Sequence, residues 1–209
     1  MPVNPPPAWG NSYEPKFKEV FEEPAPKKED FADEGAFNQA SDDYTAGLSD
    51  KVAEAWKTWF FENAQGIQTI APLAAPVPMF PTTNADDFGK DLDFSSTSTA
   101  PQVADMLASA FENWAKSLIW IPPPPAPPFL AITNVSTFAP SIQAAKAALT
   151  ASLLSQMASP PPPSPEASLP VYLALGTAFY TACISLQVMF EGTAPGSPPP
   201  PLQIPVPAF

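Results

Sequence analysis

The chain has no histidine, no arginine and a single cysteine, and sets only 8 glycines against 32 prolines in 209 residues. Each shortage closes off chemistry. Without histidine, the commonest general base, imidazole metal ligand and triad member is missing. Cys183 alone forms neither an intrachain disulfide nor a thiolate metal cluster. Its place inside an apolar run marks it as a buried thiol. The glycines are isolated, so no phosphate-cradling loop is present. A net charge of −12 with no arginine supplies neither the basic face nor the bidentate donors that nucleic-acid binding needs. The residue inventory therefore points to a non-enzymatic protein with no catalytic residues, no cofactor and no metal.

What is present is unevenly spread. Seventeen of the 21 acids and seven of the nine lysines fall in residues 1–93. The second half carries few charges with which to keep an isolated monomer soluble, and its surface is expected to be covered by partners. The prolines form blocks at Pro122–Pro125, Pro160–Pro163 and Pro198–Pro201. Polyproline makes no internal hydrogen bonds and forms stiff spacers or straps.

Three regions follow. Residues 1–46 read as an extended acidic and aromatic tail, disordered on its own. Trp9, Tyr13, Phe17, Phe21, Phe31 and Phe37 are spaced through it as candidate anchors on a neighbour. The start, MPVNPPPAWG, lacks the basic residues and apolar core of a signal peptide. Residues 47–100 hold a first helix, a proline segment and an acidic loop. Residues 101–209 alternate helices with proline straps. Trp120, Phe129 and Phe209 complete the set of interface candidates.

The expected fold is mainly α, with three or four short amphipathic helices joined by extended polyproline segments. The first helix spans about Ser49–Ala64, with Leu48, Val52, Ala55, Trp56, Trp59, Phe60 and Asn63 on one face. The second spans about Pro101–Trp120, opened by a Thr99/Gln102 capping box and ended by Pro122. The third spans about Pro140–Ala158, with Thr137 as a candidate cap. The fourth spans about Pro170–Phe190, capped by Ser168 and closed near Gly192, although Thr177 and Thr181 leave a strand open for part of it. The expected core is Trp56, Trp59, Phe60, Met106, Phe111, Trp114, Leu118, Leu153, Leu154, Leu173, Phe179 and Ile184. Phe129–Val135 reads as a short strand or an apolar strap. A strand there needs an edge to join, and another subunit is the expected source.

The helices echo one another. Ala53-Glu54-Ala55-Trp56 followed by Trp59 is matched by Ala108-Ser109-Ala110-Phe111 followed by Trp114, and more loosely by Gly176-Thr177-Ala178-Phe179 followed by Ala182. With its trailing prolines, each reads as one unit of a degenerate helix-plus-strap repeat.

Two alternative functions have weaker support. Val171–Phe190 is long enough for a membrane span. Its Gly176, Thr177, Thr181, Ser185 and Gln187, and the absence of flanking lysines, favour a buried helix. The loop Asn84–Asp93 holds four aspartates and one glycine, which suits a hard cation such as calcium or a carboxylate enzyme site at residues 86–93. Its spacing does not match an EF-hand, and a solvated acidic turn is the plainer reading. Glu22-Glu23, Asp42-Asp43 and Asp50/Glu54 read as solvated pairs. Asn134-Val135-Ser136 fits a glycosylation acceptor, idle without secretion.

Ala108–Trp120 with Pro122–Phe129, and Ala174–Phe190 with Pro195–Phe209, are alanine-rich helices with an A-x-A-aromatic or similar centre trailed by low-complexity sequence. In this they resemble small virion structural proteins of tailed bacteriophages, over roughly residues 100–209. The resemblance implies a non-enzymatic part of a tail, baseplate, neck or capsid surface, assembled in the host cytoplasm. Its partners would be other virion proteins, several neighbouring subunits and copies of itself.

Overall fold

The computed structural model describes residues 25–64, 68–69, 77–78, 88, 92–95, 98–120, 130–158, 169–196 and 202–207. These are mainly helical, as expected. The first helix, α1, spans Glu34–Ala64. The others are α2 (Ala100–Ser117), α3 (Ala139–Met157) and α4 (Leu169–Ser185). A short ladder pairs β1 (Gln68–Thr69) with β2 (Val77–Pro78). A second sheet holds β3 (Ala131–Thr137), β4 (Gln187–Thr193) and β5 (Leu202–Pro207), antiparallel in the order β3-β4-β5. The helices pack with a three-stranded sheet, which the expected fold did not include. The proline blocks at 122–125, 160–163 and 198–201 lie outside the described residues.

Helix α1 begins fifteen residues before the expected Ser49, inside what read as tail. Asp33 caps it: the Ala36 N–H donates to Asp33 Oδ1 at 2.8 Å, and Glu34 places negative charge in the first turn. Phe31 and Phe37 meet edge to face at 5.9 Å across this start, in the manner of a hydrophobic staple. The first turns of α1 are largely exposed and have no apolar stripe, so periodicity does not reveal them.

Helix α2 matches its expected start. The Thr99 N–H donates to Gln102 Oε1 at 2.7 Å, and Pro101 sits in the first turn. Its buried stripe includes Leu107, Ala110, Phe111 and Trp114, widened by Ala104, Ala108 and Ala115. Helix α3 packs between α2 and α4, burying Ile142, Ala145, Leu149 and Leu153. Thr137 does not cap it. Thr137 is the last residue of β3, and its Oγ1 accepts the Trp120 indole N–H at 2.9 Å.

The apolar run Val171–Phe190 is not one helix. Helix α4 stops at Ser185, the Leu186 N–H turns back to Cys183 O at 3.1 Å, and β4 starts at Gln187. Two bonds hold the crossover. Ser141 Oγ accepts the Gln187 N–H at 2.9 Å, and Gln187 O accepts the Phe138 N–H at 2.7 Å. Gly192 lies within the strand and does not close the helix. Among the described residues no helix is long and apolar enough to cross a membrane.

This split supplies the missing partner of the predicted strand. β3 pairs with β4 of its own chain, from Ala131 opposite Thr193 to Thr137 opposite Val188, with a bulge at Thr133. The sheet is one-sided. Val135, Val188 and Phe190 are buried on the core face. On the other face Glu191 accepts from Asn134 Nδ2 at 3.2 Å and Gln203 Nε2 at 2.6 Å, a polar ladder across all three strands. After β4 the chain turns at Pro195-Gly196, where φ is +73° at Gly196, a conformation that glycine adopts without strain.

The three sequence echoes converge in the core. Trp56 of α1, Phe111 and Trp114 of α2, and Phe179 of α4 are all buried. Trp56 lies 6.2, 5.3 and 4.9 Å from the other three rings. Ala55, Ala110 and Ala178, each one residue before its aromatic, are also buried. Each of the three ring positions is thus preceded by a buried alanine, which adds to the packed cluster. Two expected core residues face outward: Leu154 is 37% and Ile184 38% exposed. Successive helical residues are turned by about 100°, so Leu153 takes the core position and Leu154 does not. The side chains of Phe60 and Leu173 lie outside the described residues.

Candidate functional site

The described residues show no chemical centre. No group of three or more His, Cys, Asp or Glu among them could hold a metal ion. The acidic loop is represented by Phe88, Leu92 and Asp93. Phe88 and Leu92 are buried while Asp93 is exposed, so the loop is pinned to the core by its apolar residues. Asp86, Asp87 and Asp91 lie outside the described residues. Burial pushes the Cys183 thiol well above its usual range, which leaves it unreactive. A groove of about 300 Å³ between α3 and α4 is lined by Ala148, Ser152, Gln156, Thr177 and Thr181 among others, without a titratable side chain.

The one strongly perturbed carboxylate among the described residues is structural. Glu112 of α2 accepts from Lys116 at 2.6 Å on its own helix, and from Lys146 and Gln143 of α3, both at 2.7 Å. Bonding to Lys116 and then Lys146 outweighs partial burial and holds its pKa down from 4.5 to about 2. The folded value lies below the unfolded one. The resulting stabilisation is therefore present above about pH 4.5 and lost as pH falls towards 2. Glu112→Gln is expected to lower stability at pH 7 by about 1–3 kcal/mol, since it leaves half-buried Lys146 without its counter-charge. Denaturant melts should show that difference shrinking between pH 4.5 and 2. A constant difference across that window would remove the clamp.

The sheet edges are the unusual surface. In an antiparallel ladder, bonded and non-bonded pairs alternate. The Phe138 N–H bonds Gln187 O, so the backbone groups of residues 187, 189 and 191 face β3 and those of 188, 190 and 192 face β5. Pro205 is opposite Met189 and Pro207 opposite Gln187. Both prolines thus occupy non-bonded positions with their nitrogens turned outward. The outer edge of β5 lacks donors at two successive outward positions, which is how natural sheets block strand addition.

The outer edge of β3 is different. The N–H and C=O groups of Val135 and Thr137 point away from β4, and no described strand lies beyond them. Its sequence, AITNVST, has no proline and no charge, and four of its seven residues are β-branched. The two most exposed large apolar residues among those described lie near it in the chain or through a neighbour. Leu130, 63% exposed, immediately precedes β3 and donates its N–H to Thr193 O at 2.7 Å. Ile119, 61% exposed, adjoins Trp120, whose indole reaches Thr137 at the other end.

The interface candidates fare unequally. Phe31 and Phe37 are half-buried against each other. Trp120 is 3% exposed and packs in the chain's own core, while its neighbour Ile119 is 61% exposed. Trp9, Tyr13, Phe17, Phe21, Phe129 and Phe209 lie outside the described residues. The β3 edge was half-visible in the sequence as a strand without a partner. The β5 edge had a signal too, since Leu202, Ile204 and Val206 alternate with other residues and prolines suit an edge strand. No protein-family model, curated protein or solved structure matches the chain.

Proposed function

We propose that this chain is a non-enzymatic structural component of a larger particle, of the kind its resemblance to small tailed-phage virion proteins suggests. It would assemble in the host cytoplasm and hold neighbouring virion subunits together. The observation that carries this reading is the asymmetry of the sheet: one edge is stopped by Pro205 and Pro207, while the other is uncharged and, among the described residues, has no strand beyond it, with exposed Leu130 just before it. A sheet stopped on one side and, among the described residues, open on the other has a surface suited to assembly. The residue inventory supports the same reading, because histidine and arginine are absent altogether.

Mass spectrometry of particles purified from producing cells tests it. The chain is expected in assembled particles at fixed stoichiometry, and its presence only in the unassembled fraction would refute the reading. Removing residues 1–24 should leave the thermal melt unchanged, because the described core begins at Leu48, and should reduce incorporation into particles. Full incorporation of the shortened chain would count against an anchoring role for Trp9, Tyr13, Phe17 and Phe21.

A further inference from the structure

We propose that the β3 edge is the seam of a two-fold dimer, in which β3 of one copy pairs antiparallel with β3 of a second copy. The inference rests on the assembly reading and names its first partner.

Four observations select a second copy as the occupant. First, β3 is uncharged in a chain of net charge −12. The acids sit mostly in residues 1–93, and β3 sets no charge of its own against a second copy. The nearest carboxylate on the sheet, Glu191, is one strand back and is held by Asn134 and Gln203. Across the seam the two Glu191 residues would be about 14 Å apart, three strand spacings, beyond the screening length at physiological salt.

Second, full overlap sets Ala131 opposite the neighbour's Thr137 and Asn134 opposite its own counterpart. Val135 then bonds across the seam with position 133 of the other copy through the Val135 backbone groups that β4 leaves free, and the bulge at Thr133 shifts the alternation beyond that point. Third, Leu130 precedes one end of β3, and Ile119 adjoins Trp120, whose indole bonds Thr137 at the other end. An antiparallel two-fold brings Leu130 of each copy towards the Ile119 end of the other, so both exposed apolar residues gain cover. Fourth, the proline-bearing β5 edge stops further addition. One open edge of this sheet among the described residues gives a closed, isologous pair in place of a growing sheet. The product would be a six-stranded sheet in the order β5-β4-β3-β3-β4-β5.

The seam makes a register-specific demand. Asn134 turns its backbone groups towards β4, so across the seam it forms a non-bonded pair, with Cα atoms about 4.5 Å apart. Two cysteines there can form a disulfide. In the same register, two residues at position 136 are about 13 Å apart along the strands and cannot. The native Cys183 is buried and adds no background.

The test uses the full chain with oxidised glutathione as oxidant. Asn134→Cys is expected to convert largely to a covalent dimer, at least ten times faster than Ser136→Cys. As a second variant, Ile119→Asp with Leu130→Asp replaces exposed residues only. It should raise the dimer dissociation constant at least tenfold in sedimentation velocity while the circular-dichroism melt is unchanged. Wild-type chain that dimerises while neither variant responds would mean that copies meet through another face, which overturns the seam. Wild-type chain that stays monomeric at about 0.1 mM yet is found in particles would overturn self-pairing and leave the assembly reading standing. Absence from particles is the separate result that removes the reading beneath it.

Discussion

Trp56→Ala is expected to lower the stability of the chain by about 3–5 kcal/mol, the range for truncating a large buried aromatic side chain. For a domain of this size that is a drop in melting temperature on the order of 10 °C. Trp56 is fully buried and joins four parts of the chain. It stacks on Phe88 at 4.4 Å, tilts against Trp59 of its own helix at 5.2 Å, and meets Trp114 of α2 and Phe179 of α4 at 5.3 and 4.9 Å. Truncation leaves a void bordered by three helices, and each would have to shift to fill it. Trp56→Phe keeps a ring and should recover more than half of the loss. A cost below about 1 kcal/mol for the alanine variant in a denaturant melt would mean that this cluster is not the junction of the core.

Phe88→Ala should cost nearly as much, about 3–4 kcal/mol, although Phe88 sits in the polar linker between α1 and α2. The ring is fully buried, lies nearly parallel to Trp56 with 18° between the planes, and is 5.9 Å from Phe179. Leu92 is buried nearby in sequence, and the Phe94 N–H donates to Ser49 Oγ at 3.1 Å. Together these residues tie the linker to α1. The variant should therefore show two effects: a lower melting temperature and faster proteolysis within residues 84–93. Phe88→Leu should restore much of the stability. An unchanged melt would place Phe88 outside the core, and unchanged proteolysis would mean that the linker is held by something else.

Much of the helical part was legible because its signals are local. Thr99, Gln102 and Pro101 mark the start of α2, and the apolar spacing from Val103 to Leu118 marks its inner face. Trp56, Trp59, Phe111, Trp114 and Phe179 declared themselves core by size and spacing. The sheet was obscured because its signals depend on partners distant in sequence. Val171–Phe190 is continuously apolar, and hydropathy alone does not separate a buried helix from a helix followed by a buried strand. The boundary is set by Ser141 and Phe138, some 46 residues earlier, which bind Gln187. With β4 hidden, β3 had no partner in view and was assigned one in another subunit. β5 was concealed by its prolines, which read as a strap although they occupy the outward positions an edge strand tolerates. The first turns of α1 went unseen because they are capped by Asp33 but bury little.

The candidate surface was legible only in part. An orphan strand at Phe129–Val135 was visible, whereas the contrast between a blocked and an open edge depends on register, which emerges from the fold. Trp120 drew attention as a large aromatic, yet its indole N–H has a partner in Thr137, and it turns inward. Ile119, beside it, carries the exposed apolar surface.

Amide hydrogen exchange on the full chain, across a dilution series, tests the open edge most directly. The N–H groups of Val135 and Thr137 are expected to exchange quickly in dilute solution and to become protected as concentration rises, while those of Met189 and Phe190 in the central strand stay protected throughout. Protection of Val135 and Thr137 at every dilution would show that the chain covers this edge itself. Rapid exchange at every concentration would show that no second copy takes it.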